Sequence, residues 1–319
     1  MAREKQPKAV HQMTVAQFDA LFKTEDDCIS YLVARRWPEG VRCPRCGNDA
    51  VYDLPSNKWH WQCTNCAPGG STGYRFSYIA GTIFENTNKP LKDWFRVIHL
   101  MLTSKKGMSA LQIYRFLGFG SYKTAWLMCH KIRTALSEDV HQLGGIVEVD
   151  ETFVGGHRKG DYGKRSKTLI AIAAEIRGEG TGRIRLARVN DTSTPSLLPF
   201  VQRFVTPGST VITDGEWAYR AITDHGYIHR PTVLRGKGRE ASKAVLPRVH
   251  RVASLMKRWM LGMHQGRIEG HKIEPYLDEF AFRFNRRLSP SRGMLFYRLL
   301  QQSVLHAPTT YREITRKDV

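Results

Sequence analysis

Three carboxylates stand close together in a chain rich in positive charge. In GGIVEVDETFVGG, residues 144–156, Glu148, Asp150 and Glu151 follow an apolar lead-in and run straight into a Gly-Gly pair. Crowded acids repel one another unless a cation sits between them. A second segment, STVITDGEWAY at 209–219, is built alike, with apolar residues leading into Asp214 and a glycine. Hard carboxylate oxygens with open water positions suit Mg²⁺ or Mn²⁺. A pair of such ions stabilises the attacking and leaving oxygens of phosphoryl transfer. For one Asp after a strand, a solvated turn is the simpler reading. Two in matching contexts favour a metal site in which Asp150 and Asp214 are ligands.

A second metal signature lies upstream. Cys43 and Cys46 in CPRCG are followed, after sixteen intervening residues, by Cys63 and Cys66 in CTNC. Two C-x-x-C pairs at this separation place four thiolates around one Zn²⁺, each pair on a tight knuckle turn. The intervening AVYDLPSNKWHWQC alternates like a short β-hairpin, which is the zinc-ribbon arrangement. Four cysteines fill the site, leaving His60 as a spare donor. A ribbon has too small a core to fold alone, so the metal is structural and supplies folding energy. Arg42, Arg45, Lys58 and Trp59 give it a cationic, aromatic surface. Cys28 and Cys129 fall outside the pattern and read as buried thiols.

The elements that must hold these groups follow from periodicity. In a strand, residues two apart face the same way, so Val147 and Val149 point into one layer and Glu148 and Asp150 into the other. Glu148 is thus an auxiliary to Asp150 or a charged strand residue paired with a local arginine. KTLIAIAAEI and RIRLARVND alternate around Gly178, Gly180 and Gly182 and predict a hairpin, and PSLLPFVQRFV predicts a helix. The order strand, strand, strand, helix, strand, with acids on the first and fourth strands, is that of an RNase H-like domain, in which those two strands are neighbours. The basic segment 225–245, with RGKGRE at its centre, reads as a loop or arm, and helical periodicity returns from Val249 onward.

Between ribbon and strands, KGMSALQIYRFLGFGSYKTAWLMCHKIRTAL at 106–136 reads as helix, Gly-rich turn, helix. Ser109 caps the first helix, with Leu111, Ile113, Tyr114 and Leu117 on its apolar face. Ala125, Leu127, Met128 and Ile132 form the core stripe of the second. This is the shape of a helix-turn-helix, with Ser121–Thr124 where recognition residues meet base edges and with Lys123, Thr124 and Lys131 as DNA contacts. The plain alternative is a helical hairpin of the core.

The balance of charge agrees. Among 319 residues, 49 Lys and Arg against 29 Asp and Glu give +20, which favours a polyanionic partner, double-stranded DNA above all. No run approaches the 18 or more apolar residues of a membrane span. The start MAREKQPKAV has no apolar core of a secretory signal. The expected compartment is the cytoplasm, in bacteria at the nucleoid.

VEVDETFVGG, TDGEWAY and HRVASLMKRWMLGMHQGRIEGHKIEPYLDEFAFRFNRR, behind a zinc ribbon, resemble the ISXO-like branch of bacterial insertion-sequence DDE transposases. The resemblance runs from about Cys43 to about Leu300. It implies an enzyme that cuts transposon ends and joins the free 3′-OH to target DNA, working as a homo-oligomer on terminal repeats. It also implies a third metal ligand, usually Glu, on a helix after the second Asp, with a basic residue seven positions on. Here His250 stands thirty-six residues past Asp214, with Lys257 seven further along, and Arg251 and Arg258 repeat that spacing on the adjacent stripe. Either His250 completes the site, which favours Mn²⁺ relative to an all-oxygen set, or the third acid is Glu240 or Glu269.

The expected chain is therefore α/β, with an RNase H-like catalytic domain behind a zinc ribbon and a helix-turn-helix. Its divisions are a helical lead-in at 1–36, the ribbon at 37–85, the helix-turn-helix region at 86–142, the catalytic domain at 143–305 and a tail at 306–319. Two other readings stay open: a decayed, non-catalytic DNA-binding descendant of such an enzyme, and a nuclease without strand transfer.

Overall fold

The computed structural model describes residues 12–66, 73–104, 106–137, 141–155, 167–232, 245–264, 268, 270–291 and 293–316. Two compact units emerge. One combines Met1–Ala135 with Ser289–Ile314, and the other comprises Leu136–Leu288 with Thr315–Val319. The first unit therefore takes back residues 289–305, which the sequence reading assigns to the catalytic domain. The reason lies in packing. Helix α9 (Gly293–Leu305) lies against α2 (Glu25–Arg36) and α3 (Leu91–Thr103). Its Phe296 joins Phe18, Phe22 and Phe95 in an aromatic cluster with ring centroids 5.0–6.0 Å apart.

The same unit opens with α1 (Val15–Leu21), which Thr14 and Gln17 start with reciprocal side-chain-to-backbone bonds. Its zinc-ribbon part is a three-stranded antiparallel sheet of β1 (Val51–Asp53), β2 (His60–Cys63) and β3 (Arg75–Ser77), one strand more than the expected hairpin. Trp61 and Phe76 are buried between this sheet and Trp37, just past the end of α2. Helices α4 (Ala110–Leu117) and α5 (Tyr122–Thr134) follow. Ser109 and Gln112 form the capping box of α4, Gly118 ends it in the left-handed region at φ 63°, and Ser121 caps α5. Ile113 is buried as expected, whereas Leu111 is exposed.

The second unit is a five-stranded mixed sheet in the order β6-β5-β4-β7-β8. Strand β4 (Ile146–Val154) pairs antiparallel with β5 (Thr168–Arg177), which pairs antiparallel with β6 (Gly180–Val189). On its other side β4 pairs parallel with β7 (Thr210–Thr213), and β7 pairs parallel with β8 (Ile228–Pro231). Strand β8 falls inside the stretch expected to be a loop; its IHRP sequence has neither alternation nor β-branched bulk beyond Ile228, and it sits at the sheet edge where a proline is tolerated.

Both faces of the sheet are covered. Val147, Val149, Ala171 and Ala173 pack against α6 (Thr194–Phe204) and a 3₁₀ helix (Trp217–His225). Ile170, Ile172, Ala174 and Ile184 pack against α7 (Pro247–His264) and α8 (Glu274–Asn285). The period-2 alternation of β4 and β5 thus divides cleanly between two apolar layers. Each fully buried Val, Ile or Phe contributes about 1.5–3 kcal/mol. Asn285 ties α8 to the sheet by accepting from the Ile184 N–H at 2.8 Å. Arg287 donates to the Gly182 and Thr181 carbonyls, so part of the YLDEFAFRFNRR string serves to anchor a helix to a strand. A short tail helix, α10 (Tyr311–Thr315), closes the first unit. No helix among the described residues is long and apolar enough to cross a membrane.

Candidate active site and zinc centre

Strand register brings the acids together. In the parallel pairing, Ile146 lies opposite Thr210 and Glu148 opposite Ile212, a constant offset of 64. Asp214 follows directly on Thr213, the last residue of β7, and its charge reaches Asp150 on the neighbouring strand. Burial pushes the Asp150 carboxyl up to about 6, and the nearby charge of Asp214 pushes the same way. The Glu151 N–H, donated to Asp150 Oδ1 at 2.8 Å, pulls against this, as do His250 and Lys257.

Helix α7 supplies the cationic side. His250 Nδ1 is 3.6 Å from Asp150 Oδ2, and the imidazole is about two-fifths exposed. Two turns on, Lys257 is exposed, and its ammonium is held below the usual lysine range by desolvation first and by Lys167 second. Asp150 draws it the other way. Ser254 is open between these two side chains while Ala253 faces the core. Arg251 and Arg258 are exposed on the adjacent stripe. Both His250 and Lys257 reach the field of Asp150. Glu240 and Glu269, the alternative third acids, lie outside the described residues.

Two neighbours of the acids escaped sequence reasoning. Glu151, seen there only as part of the acidic knot, turns to the opposite face of the sheet, where the buried Tyr219 donates its hydroxyl to it. Burial pushes Glu151 up to about 7, against the pull of that hydrogen bond. Tyr219 was legible only as an apolar position in GEWAY. Arg248, beside His250, pairs with the buried Glu148 at 3.0 Å, which selects the paired-arginine alternative for that acid.

The thiolates are tightly gathered. Cys43, Cys46, Cys63 and Cys66 bring their Sγ atoms within 4.8 Å of one another, the one set of three or more metal-ligating atoms so close among the described residues. Cys43 and Cys66 are 3.9 Å apart and Cys46 and Cys63 3.7 Å. A tetrahedron with Zn–S bonds of about 2.3 Å has edges of about 3.8 Å, so the four sulfurs fit the ion. Gly47, at φ 72°, closes the first knuckle by donating to the Cys43 carbonyl at 2.9 Å. The Asn48 N–H holds the Cys46 thiol down to about 6, and the hydrogen bond with Cys46, followed by burial, pushes Cys66 up to about 12. Without a cation, one thiolate suppresses the next. His60 turns away, its Nδ1 on the Lys58 carbonyl at 3.0 Å.

Comparison with known proteins now bears on this arrangement. Residues 142–285 match the ISXO2-like transposase domain, and residues 23–68 match the transposase zinc-ribbon domain. The chain thus carries an ISXO2-like transposase domain behind a transposase zinc ribbon. The zinc-ribbon match begins at 23 rather than 37, and the packing of Trp37 on Trp61 explains why: α2 is part of the ribbon's core. The chain is also 27% identical over 282 residues to an uncharacterized protein in transposable element ISH50 of Halobacterium salinarum, with 82% of this chain and 91% of that protein covered. The zinc ribbon and its four-cysteine cluster carry a structural zinc.

The remaining expected contacts lie on α5. Lys123 is exposed, with its ammonium 4.1 Å from the centre of the Tyr311 ring, and Thr124 is half-buried. Lys131 departs from expectation. It is buried and donates to the Glu85 carbonyl at 3.2 Å, because its position one turn before the helix end faces the core of the unit. On the ribbon, Arg45 stacks 3.7 Å over Tyr74 and Lys58 pairs with Asp26 at 2.5 Å.

Proposed function

We propose that the chain is a DDE-type recombinase, a divalent-metal-dependent polynucleotidyl transferase that cuts insertion-sequence ends and joins their 3′-OH to target DNA. One observation carries this reading: the buried Asp150 on β4 feels the charge of Asp214, the residue just past the parallel neighbour β7, and has His250 3.6 Å away on the covering helix. The strand order, with acids on two central parallel neighbours, supports an RNase H-like assignment for the catalytic unit.

The residues fit Mg²⁺ or Mn²⁺. Two hard carboxylates are forced close and partly desolvated, so that Asp150 is lifted toward its neutral form, and a dication relieves that repulsion. An imidazole as third donor keeps Mn²⁺ acceptable. When bound, the metal supplies a nucleophile of lowered pKa and neutralises charge on the scissile phosphate. Asp150 and Asp214 hold the ions, and His250 completes the donor set or takes up a proton beside it. Lys257, Arg251 and Arg258 line the exposed face of α7 and grip phosphates on either side of the scissile bond. Water acts first as nucleophile in the cut, and the 3′-OH it leaves then attacks the target strand.

Recognition belongs to the first unit. Helices α4 and α5 form a helix-turn-helix in which Lys123 and Thr124 meet the terminal repeat, and the zinc ribbon adds backbone contacts. Paired ends call for a homo-oligomer on DNA, acting on the chromosome in the cytoplasm. The test is incubation of the full chain with a plasmid target, flanking terminal repeats and Mg²⁺ or Mn²⁺, scoring nicks and joined products. Nicks with no joining would mark a nuclease. Tight end binding with neither product would mark a DNA-binding protein that has lost its chemistry.

A further inference from the structure

Glu148 is a buried acid the chemistry does not use. It sits on β4 two residues before Asp150, on the same face, and is 1% exposed. Burying a carboxylate costs several kcal/mol unless its lone pairs are filled by donors. Here they are. Oε2 accepts from the backbone N–H of Arg248 at 2.8 Å and of Val249 at 3.0 Å, and Oε1 accepts from the Arg248 guanidinium at 3.0 Å. That guanidinium reaches on to the Gly180 and Gly178 carbonyls at 3.1 and 3.3 Å, at the β5–β6 turn.

Arg248 and Val249 are the second and third residues of α7, whose first turn carries N–H groups without partners in the helix. A charge from another element therefore caps this helix, where the macrodipole also favours a negative group. The next residue is His250. The apolar stripe Val249, Val252, Met256 and Met260 fixes which face of α7 meets the sheet, but a greasy contact tolerates sliding along the helix axis. Two short hydrogen bonds to a fixed strand do not. An apolar residue at 148 would fill the space without setting the register of the helix against Asp150.

We infer that Glu148 is the positioning residue of the catalytic centre: it pins the first turn of α7 to β4, one pleat below Asp150, and so sets His250 against that acid. Arg248 ties the same joint to the β5–β6 turn. Lys257, two turns along a rigid helix, inherits the setting. This rests on His250 belonging to the active centre, as proposed above.

The test uses the full chain with its zinc, comparing Glu148→Ala, Glu148→Gln, His250→Ala and the double variant Glu148→Ala/His250→Ala. Reaction of His250 with diethyl pyrocarbonate, followed by mass spectrometry, reports its placement without metal or DNA. The Mn²⁺ concentration for half-maximal nicking reports its effect on the site. Glu148→Ala should make His250 react several-fold faster and cost about 10- to 100-fold in Mn²⁺ requirement or rate, the usual scale for losing a group that orients a ligand. Glu148→Gln, whose amide oxygen still accepts from both N–H groups, should recover most of the placement. The double variant should be no worse than His250→Ala alone, because Glu148 acts through that residue. Unchanged His250 reactivity in Glu148→Ala, or losses that multiply in the double variant, overturn the inference. If the Ala variant does not fold, Glu148→Asp keeps the charge but draws it back by one methylene; it should raise His250 reactivity too, and failure to do so is equally decisive. Should the wild type nick nothing, the catalytic reading falls while the His250 rates still decide whether Glu148 places that side chain.

Discussion

Removing the charge of Asp150 should make the metal-free protein more stable while destroying its activity. In the folded chain burial lifts this carboxyl to about 6 from an ordinary value of 3.8. At about 1.4 kcal/mol per unit, that is roughly 3 kcal/mol of strain at alkaline pH. The sign follows from the raised value: the folded state holds the proton more tightly than the unfolded one. Stability from this group is full below about 3.8 and is lost as pH rises through about 6. Asp150→Asn escapes most of that loss, the pulls of His250 and Lys257 being already contained in the value of about 6, so the gain at pH 8 should be about 2–3 kcal/mol. Urea unfolding of the catalytic unit, followed through Trp217 and Trp259, measures it in buffer free of added divalent metal but without chelator, so that the ribbon keeps its zinc. The advantage of the variant should shrink between pH 8 and pH 4. Saturating Mn²⁺ should reverse the order, since a ligand at a hundred times its Kd stabilises the wild type by about 2.7 kcal/mol and leaves the variant unmoved. Asp150→Asn proving less stable than wild type at pH 8, or gaining as much from Mn²⁺, would refute the reasoning.

Other outcomes follow from the same geometry. Cys63→Ser should lose one zinc per chain by elemental analysis and destabilise the ribbon by several kcal/mol, leaving the unfolding of the catalytic unit unchanged. Asp214→Asn should abolish nicking with duplex binding within about twofold, read by gel shift, since the ions and not the fold are lost. His250→Glu should keep part of the cleavage that His250→Ala loses and shift its preference toward Mg²⁺, measured as the ratio of rates in the two metals. Duplex affinity should fall steeply with salt, at a log–log slope of about −0.9 per phosphate contact, and Lys123→Ala should reduce that slope by about one.

Much of the catalytic unit was legible because its signals are local. The alternation in β4, β5 and β6 and the glycine turn between β5 and β6 are properties of short windows, and the sheet keeps them; Asp150 falls in the middle of β4 and Asp214 just past β7. His250 and Lys257 were legible as a spacing along one helix. Two-body facts were not. That Glu148 caps α7 depends on two residues 100 positions apart, and nothing near VEVDE signals it. Tyr219 reads as one more core aromatic until β4 turns Glu151 toward it. Lys131 was misjudged because a helical stripe gives relative faces but not which face a distant element covers. The boundary near 289 escaped for a similar reason: α9 has an ordinary apolar stripe, and only its partners reveal that it belongs with α2 and α3.

The return of α9 to the first unit has a consequence for how the chain is made. Phe22 is already out when Phe95 leaves the ribosome, about two hundred residues before Phe296, the ring that completes their cluster. At 5–20 residues per second, roughly 10–40 s pass with that apolar surface waiting. All of the catalytic unit from Leu136 to Leu288 emerges in the interval and has its own two-layer core to form. The first unit is thus begun before the sheet of the second unit and completed after it. A chain stalled or truncated near residue 288 would carry a completed five-stranded sheet beside an unfinished first unit, a nascent product fit for chaperones and proteases.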